Sequence, residues 1–273
     1  MIDYTIPMKL VQLLSNGNVC SQLHLTQKMR ICWLEIEQHM RTLKDWKISI
    51  IKKKNNDYQL QSSIQLLNED KINAELPGGR VIVLPVVDST NQYLLDRTTF
   101  LKSGDVCTAE YQQAGRGKYG SQWFSPFGSN LYLSMYWLLD KGLQTATMHL
   151  SVFISIIIAN ILREQGISDI KVKWPNDIYL QDRKLAGILV EIKGSNKHRS
   201  EIIIGAGINL AMVGLSKNLL LQKNWIDLQE IGVNLDRHGL LVIIIDAMRK
   251  ALIQFEQSQS TTLLKCMKKL EKN

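Results

Sequence analysis

The sequence is poor in the residues that build disulfide frameworks and metal clusters. Its four cysteines, Cys20, Cys32, Cys107 and Cys266, show no C-x-x-C spacing, which argues against a disulfide scaffold or a structural zinc site. Five histidines include neither a close pair nor an H-E-x-x-H motif. No run approaches the roughly 20 apolar residues a membrane-spanning helix needs. The most apolar stretch, Val152 to Leu162, is interrupted by Ser155 and Asn160 and reads as a buried helix. The opening residues, MIDYTIPMKL, lack the basic-then-apolar order of a signal peptide. A cytoplasmic protein with no membrane attachment is therefore expected. There is no internal repeat, no low-complexity tract and no G-x-x-x-x-G-K-[ST] phosphate loop.

What remains is the composition of an ordinary globular chain, 45% hydrophobic and 21% charged over 273 residues. That length accommodates one large core and a small satellite domain. A formal net charge of +8 would suit a partner carrying phosphates. Lysines are spread along the whole chain, so the global charge carries little weight by itself.

Two regions are distinguishable. In residues 1–66, Pro7 starts a helix with Met8, Val11 and Leu14 on one face, stopped by Asn16-Gly17. Ser21 caps a second helix that runs to about Met29. A third spans Cys32 to Trp46 with Ile36, Met40 and Leu43 in register. Ile48–Ile51 and Tyr58–Leu60 then form a small ribbon around a lysine-rich tip. The outline is a winged helix-turn-helix, a common DNA-binding module. From residue 67 to 273, strand-like runs at 81–87, 106–111, 131–137, 171–174, 177–180, 187–191 and 201–208 alternate with helical segments at 90–99, 145–165 and 240–257. Many strands with few long helices predict an α+β domain on a mixed sheet.

Three clusters carry chemistry. Gln112 to Trp123 places three glycines, Gly115, Gly117 and Gly120, among Arg116 and Lys118. Glycines permit positive φ and close backbone approach, and the cations suit an anion. The flanking strands place this loop where it can fold over a pocket. Next come Lys173-Trp174-Pro175-Asn176-Asp177 and Arg183-Lys184-Leu185-Ala186-Gly187, two lysines bracketing a turn whose Asn and Asp can meet ligand hydroxyls or a nucleotide's metal. Third is Gly205-Ala206-Gly207-Ile208-Asn209, where small residues allow close approach at a strand end.

With Asp88-Ser89-Thr90-Asn91 ahead of them, these motifs stand in the order seen in biotin–protein ligases. The chain resembles the bacterial bifunctional biotin ligase and biotin operon repressor along its whole length. The resemblance implies an N-terminal winged helix-turn-helix followed by a class II synthetase-like catalytic domain. It implies the joining of biotin and ATP, with Mg²⁺, to biotinyl-5′-AMP, then transfer to a lysine of the biotin carboxyl carrier protein of acetyl-CoA carboxylase. Ser89, Thr90, Asn91 and Gln112 would hold the biotin head group, with Tyr132, Ser134 and Gly187 lining its pocket. Gly115, Arg116, Gly117 and Lys118 would close over the adenylate. Lys184 and Arg116 would be the catalytic cations. Lys173, Asn176, Asp177, Asn209, Trp123 and Trp225 would face the nucleotide, and no side-chain metal site is expected. Operator DNA and a homodimer partner are further implications.

Three departures from the family pattern are visible. The loop has Lys118-Tyr119 and Ser121-Gln122 where relatives are more basic. A small C-terminal β-barrel domain is expected to be lacking after Asn273. The helix-turn-helix joint, Lys28 to Cys32, has neither turn glycine nor serine cap. Its recognition helix carries Glu35 and Glu37, which phosphates would repel, and the wing keeps three lysines but no glycine. A lipoate or octanoate ligase, or a biotin-sensing DNA-binding protein without turnover, are the alternatives. The complete loop and Lys184 favour the biotin ligase.

Overall fold

Apolar periodicity in the first 60 residues produces three helices and a ribbon. In this computed structural model, described over residues 3–139, 146–195, 199–212 and 217–257, they are α1 (Thr5–Leu14), α2 (Gln22–Met29) and α3 (Trp33–Asp45), followed by antiparallel β1 (Ile50–Lys52) and β2 (Tyr58–Leu60). Pro7 lies within the first turn of α1 rather than starting it. There its missing N–H removes no helical hydrogen bond. The joint between α2 and α3 needs no glycine, because Arg30 adopts the left-handed conformation (φ 57). Ser21 caps α2 by accepting from the His24 N–H (3.1 Å). Glu35 caps α3 in place of a serine, accepting from the Cys32 N–H (3.0 Å). At the wing, Asn55 and Asn56 supply the positive φ, since asparagine tolerates that region better than most residues. The two carboxylates of α3 thus have local partners: Glu35 in the cap, and Glu37 beside Lys52 at 3.6 Å.

The second region opens with α4 (Glu69–Glu75), a helix too short to show periodicity but capped by Asn68, which accepts from the Lys71 N–H (2.9 Å). There follow β3 (Val81–Val87), α5 (Thr90–Leu95), β4 (Val106–Gln112), β5 (Leu131–Leu139), α6 (Ala146–Glu164), β6 (Ile170–Lys173), β7 (Asp177–Leu180), β8 (Arg183–Ser195), β9 (Ser200–Ile208), α7 (Lys217–Gln222) and α8 (Arg237–Gln257). The seven strands β3 to β9 make one sheet in the order β3-β4-β5-β9-β8-β7-β6. Only the β3–β4 pair is parallel. The mixed α+β sheet expected from the strand-like runs is therefore present. Cys266 and the rest of the C-terminal tail lie outside the described residues.

Strand alternation decides which face receives the site. On β5, Leu131, Leu133, Met135 and Trp137 enter the large core under α6 and α8, as do Ile202, Ile204, Ala206 and Ile208 of β9. The intervening residues, among them Tyr136 and Ile203, pack with Leu94 of α5 on the opposite face. Ser134, Gly205 and Gly207 share that second face.

The two regions meet over an apolar and an ionic seam. Phe127 and Tyr111 belong to the same cluster as the winged unit's core, with Trp46 stacked on Phe127. Behind them Arg237 pairs with Glu110, both almost fully buried. Glu110 also accepts from the Leu67 N–H (2.7 Å), and Arg237 donates to the carbonyls of Asn130 (2.9 Å) and Gln65 (3.0 Å). These added hydrogen bonds offset part of the cost of burying the ion pair, although Arg237 Nη2 is left without a hydrogen-bond partner.

Candidate active site

β4 runs into the glycine-rich loop, which returns to the sheet as β5. Of the three loop glycines, only Gly120 has positive φ (73), and Tyr119 beside it shares that conformation (φ 55). Gly115 and Gly117 are needed for closeness within the loop rather than for φ. A Cβ on Gly115 would meet the Trp123 carbonyl at 2.5 Å, and one on Gly117 would meet Ser121 Oγ at 2.5 Å. The glycines of β9 line the cavity and also leave room for neighbouring side chains. A Cβ on Gly205 would strike the Asn91 amide, and one on Gly207 would strike the Trp123 indole. Trp123 is thereby laid across the strand ends, with Lys184 Nζ 5.5 Å from its ring centroid.

The loop, α5 and the ends of β8 and β9 enclose a cavity of about 600 Å³. Ser89, Thr90, Asn91 and Gln112 line one end. Arg116, Gly117, Lys118 and Trp123 line the roof, and Tyr132, Asn176, Asp177, Lys184 and Gly187 complete the wall. Most residues singled out in the sequence are thus brought together. The end formed by Ser89, Thr90, Asn91 and Gln112 includes a connected polar set. Gln112 Oε1 accepts from the Thr90 N–H (2.9 Å), and Gln112 Nε2 donates to Ser125 Oγ (2.8 Å). The Ser134 hydroxyl lies 2.7 Å from Thr90 Oγ1 and donates to Asn91 Oδ1.

The other end is cationic. Lys184 Nζ stands 2.9 Å from an Asp177 carboxylate oxygen. Burial pushes the Lys118 ammonium below its usual range, the neighbouring Lys184 adds to that, and Asp177 opposes it. Arg116 pairs with Glu191 at 2.7 Å. Arg116 Nε and Trp123 Nε1 are buried donors without a hydrogen-bond partner, which is costly unless an acceptor enters the cavity. Among the described residues, no three His, Cys, Asp or Glu side chains are grouped to hold a metal ion.

Five expected site residues stand outside the cavity lining. Gly115 supports the loop's base, and Ser134 is fully buried behind Thr90 and Asn91. Asn209 is a brace, donating to the carbonyls of Lys184 (3.4 Å) and Ile226 (3.2 Å). Lys173 is drawn over the Tyr179 ring at 4.9 Å, although its backbone faces Asp177 across the β6–β7 hairpin. Trp225 is one backbone bridge away from Lys184. Conversely, Glu191 did not stand out in the sequence. The signal was the strand period, since Gly187, Leu189 and Glu191 fall on the face that carries the site.

The sheet carries a glycine-rich loop and a lysine at the wall of a partly open cavity, and residues 83–209 match the biotin/lipoate A/B protein ligase family, which places the chain among the protein ligases. The bifunctional ligase/repressor BirA of Escherichia coli (strain K12) is 50% identical over 271 residues, covering 99% of this chain and 84% of that protein. Its counterpart in Salmonella typhimurium is 48% identical over the same extent. The chain belongs to this family of bifunctional biotin–protein ligases. Among solved structures, the biotin protein ligase of Aquifex aeolicus in complex with biotin and ATP superposes with a TM-score of 0.55 at 27% identity, over 65% of this chain and 72% of that one. Among the described residues, no helix is long and apolar enough to cross a membrane.

Proposed function

We propose that this protein activates biotin with ATP and transfers it to a lysine of the biotin carboxyl carrier protein. The supporting observation is the pairing of a neutral hydrogen-bonding end, Thr90 to Gln112, with a cationic end, Arg116, Lys118 and Lys184, in one cavity. A biotin carboxylate oxygen attacks the α-phosphorus of ATP, and the bond to pyrophosphate breaks. The carrier's amine then attacks the anhydride carbonyl, an amide forms, and AMP leaves. Both reactants of the first step are anions, so fixed cations must screen them. Lys184 and Lys118 do so, with Asp177 holding Lys184 in place through their ion pair. Arg116, Gly117 and Lys118 shield the anhydride from water. Trp123 covers the mixed anhydride, while Lys173 and Trp225, outside the cavity lining, meet the nucleotide. Mg²⁺ enters with ATP as part of that substrate. The setting is cytoplasmic.

A second role is favoured by the capped recognition helix and the exposed wing lysines, Lys52 to Lys54: adenylate-bound protein, as a homodimer, binds the biotin operator. ATP–pyrophosphate exchange tests the first role, with biotin supporting exchange and lipoate failing to. Exchange with lipoate alone would overturn it. Sedimentation and gel-shift with and without biotin and ATP test the second, adenylate-dependent dimers and operator binding being the expected result.

A further inference from the structure

Seven polar residues form one unbroken chain around the cavity. It starts at Ser125, just past the loop, and passes through Gln112, Thr90, Ser134 and Asn91. It continues to Glu191, whose Oε2 accepts from Asn91 Nδ2 (2.8 Å), and ends on Arg116, whose guanidinium N–H donates to the same oxygen (2.7 Å). The loop is therefore joined to the head-group pocket at its foot and again at its roof, and Glu191 makes the second join.

We infer that Glu191 is a positioning residue that couples occupancy of the head-group pocket to the placement of Arg116. The inference rests on the ligase reading above. A carboxylate only accepts hydrogen bonds, so Glu191, with the Leu189 carbonyl that Asn91 Nδ2 also meets at 3.3 Å, sets which way the Asn91 amide faces. Asn91 Nδ2 must point at Glu191, which leaves Oδ1 toward Ser134 and fixes the donor and acceptor pattern offered to a head group. The same oxygen holds Arg116 through a charge-assisted bond, the stronger kind. Glu191 and Arg116 are about a quarter and a third exposed, so the coupling is moderated by solvent but not abolished.

Two variants separate the functions. In Glu191→Gln a neutral oxygen still accepts from Asn91, while the ion pair to Arg116 is lost. Expected are a biotin KM within about twofold of wild type and a roughly 5- to 10-fold shorter half-life of adenylate on the protein. Trypsin should also cleave the loop after Lys118 faster. In Glu191→Ala both bonds are lost, and the biotin KM should rise about 10-fold as well. Retention and KM unchanged in Glu191→Gln and Glu191→Ala would overturn the inference. So would an equal rise in KM in both with retention unchanged, because that pattern belongs to a residue serving Asn91 alone. Thermal melts of both confirm folding, and Glu191→Gln carries the test if Glu191→Ala does not fold. Wild-type protein is the control. Absence of biotin-dependent exchange in it overturns the ligase reading, whereas exchange in wild type with unaltered variants overturns only the role of Glu191.

Discussion

Trp46, the residue that ends α3, stacks face to face on Phe127, with ring centroids 5.2 Å apart and planes 8° from parallel. Tyr4 meets the same indole edge-on at 5.5 Å, and the Phe127 N–H donates to the Trp46 carbonyl at 3.1 Å. The winged unit is thus held on the catalytic region by an aromatic stack lying four residues past Trp123 of the active-site roof.

Replacing Trp46 with alanine leaves a void under Phe127 and should cost roughly 3–5 kcal/mol, the usual range for a buried tryptophan. Thermal or urea unfolding checks this. A melting temperature within a degree of wild type would mean that the stack contributes nothing to holding the units together.

Lys184→Ala removes the cation between Asp177 and the Trp123 ring. Adenylate formation should fall by about 100-fold or more, the scale for losing one stabiliser of transition-state charge. Biotin-dependent pyrophosphate exchange reads it directly. Near-normal exchange would remove Lys184 from the mechanism.

Burial depresses the Lys118 pKa below its usual value of 10.5. A lysine with a lowered pKa loses its charge sooner as pH rises, so its hold on an anionic adenylate is present at neutral pH and lost on the alkaline side. Adenylate half-life should therefore shorten with rising pH earlier than an exposed lysine would dictate. Lys118→Arg, whose side chain stays charged, should flatten that decline. Parallel pH profiles for the two proteins would rule out Lys118 as the titrating group.

Asp236 accepts from the Gln65 side chain and from the N–H groups of His238 (3.2 Å) and Gly239 (3.0 Å) at the start of α8. The hydrogen bond from Gln65, chiefly, holds its carboxyl below the ordinary 3.8. The stabilisation is thus complete above pH 3.8 and is lost as pH falls through the lowered value. Asp236→Ala should cost about 1 kcal/mol at pH 7, as for other helix caps. In melts run against pH the gap to wild type should close in acid, and a gap constant down to pH 2 would contradict this.

Most of the sheet was legible because β5 and β9 are rich in apolar residues, and because β7 is short and bounded by turns. The cavity's residues were legible as motifs, and Thr90, Asn91, Gln112 and Lys184 come together in one lining. What escaped was set by distance in the chain. Glu191 is 100 residues from Asn91 and 75 from Arg116, and no local pattern announces such a meeting. The purpose of the β9 glycines also escaped, because only the folded chain shows that Trp123 and Asn91 occupy the room they leave. α4 was missed because seven residues hold too few turns to show a period. The acidic residues of α3 read as a defect until Glu35 was seen capping the helix and Glu37 facing Lys52.

Consecutive residues of β4 serve different neighbours: Tyr111 packs with the winged unit's core, while Gln112 anchors the cavity. Phe127 likewise belongs to the first unit's interior although it is encoded within the second. A recombination that exchanged residues 1–66 for those of a distant relative would mismatch both contacts unless residues 111 and 127 travelled with them. The two halves of this chain are therefore bound to drift together, and the substitutions that let them do so should concentrate on Trp46, Tyr111 and Phe127.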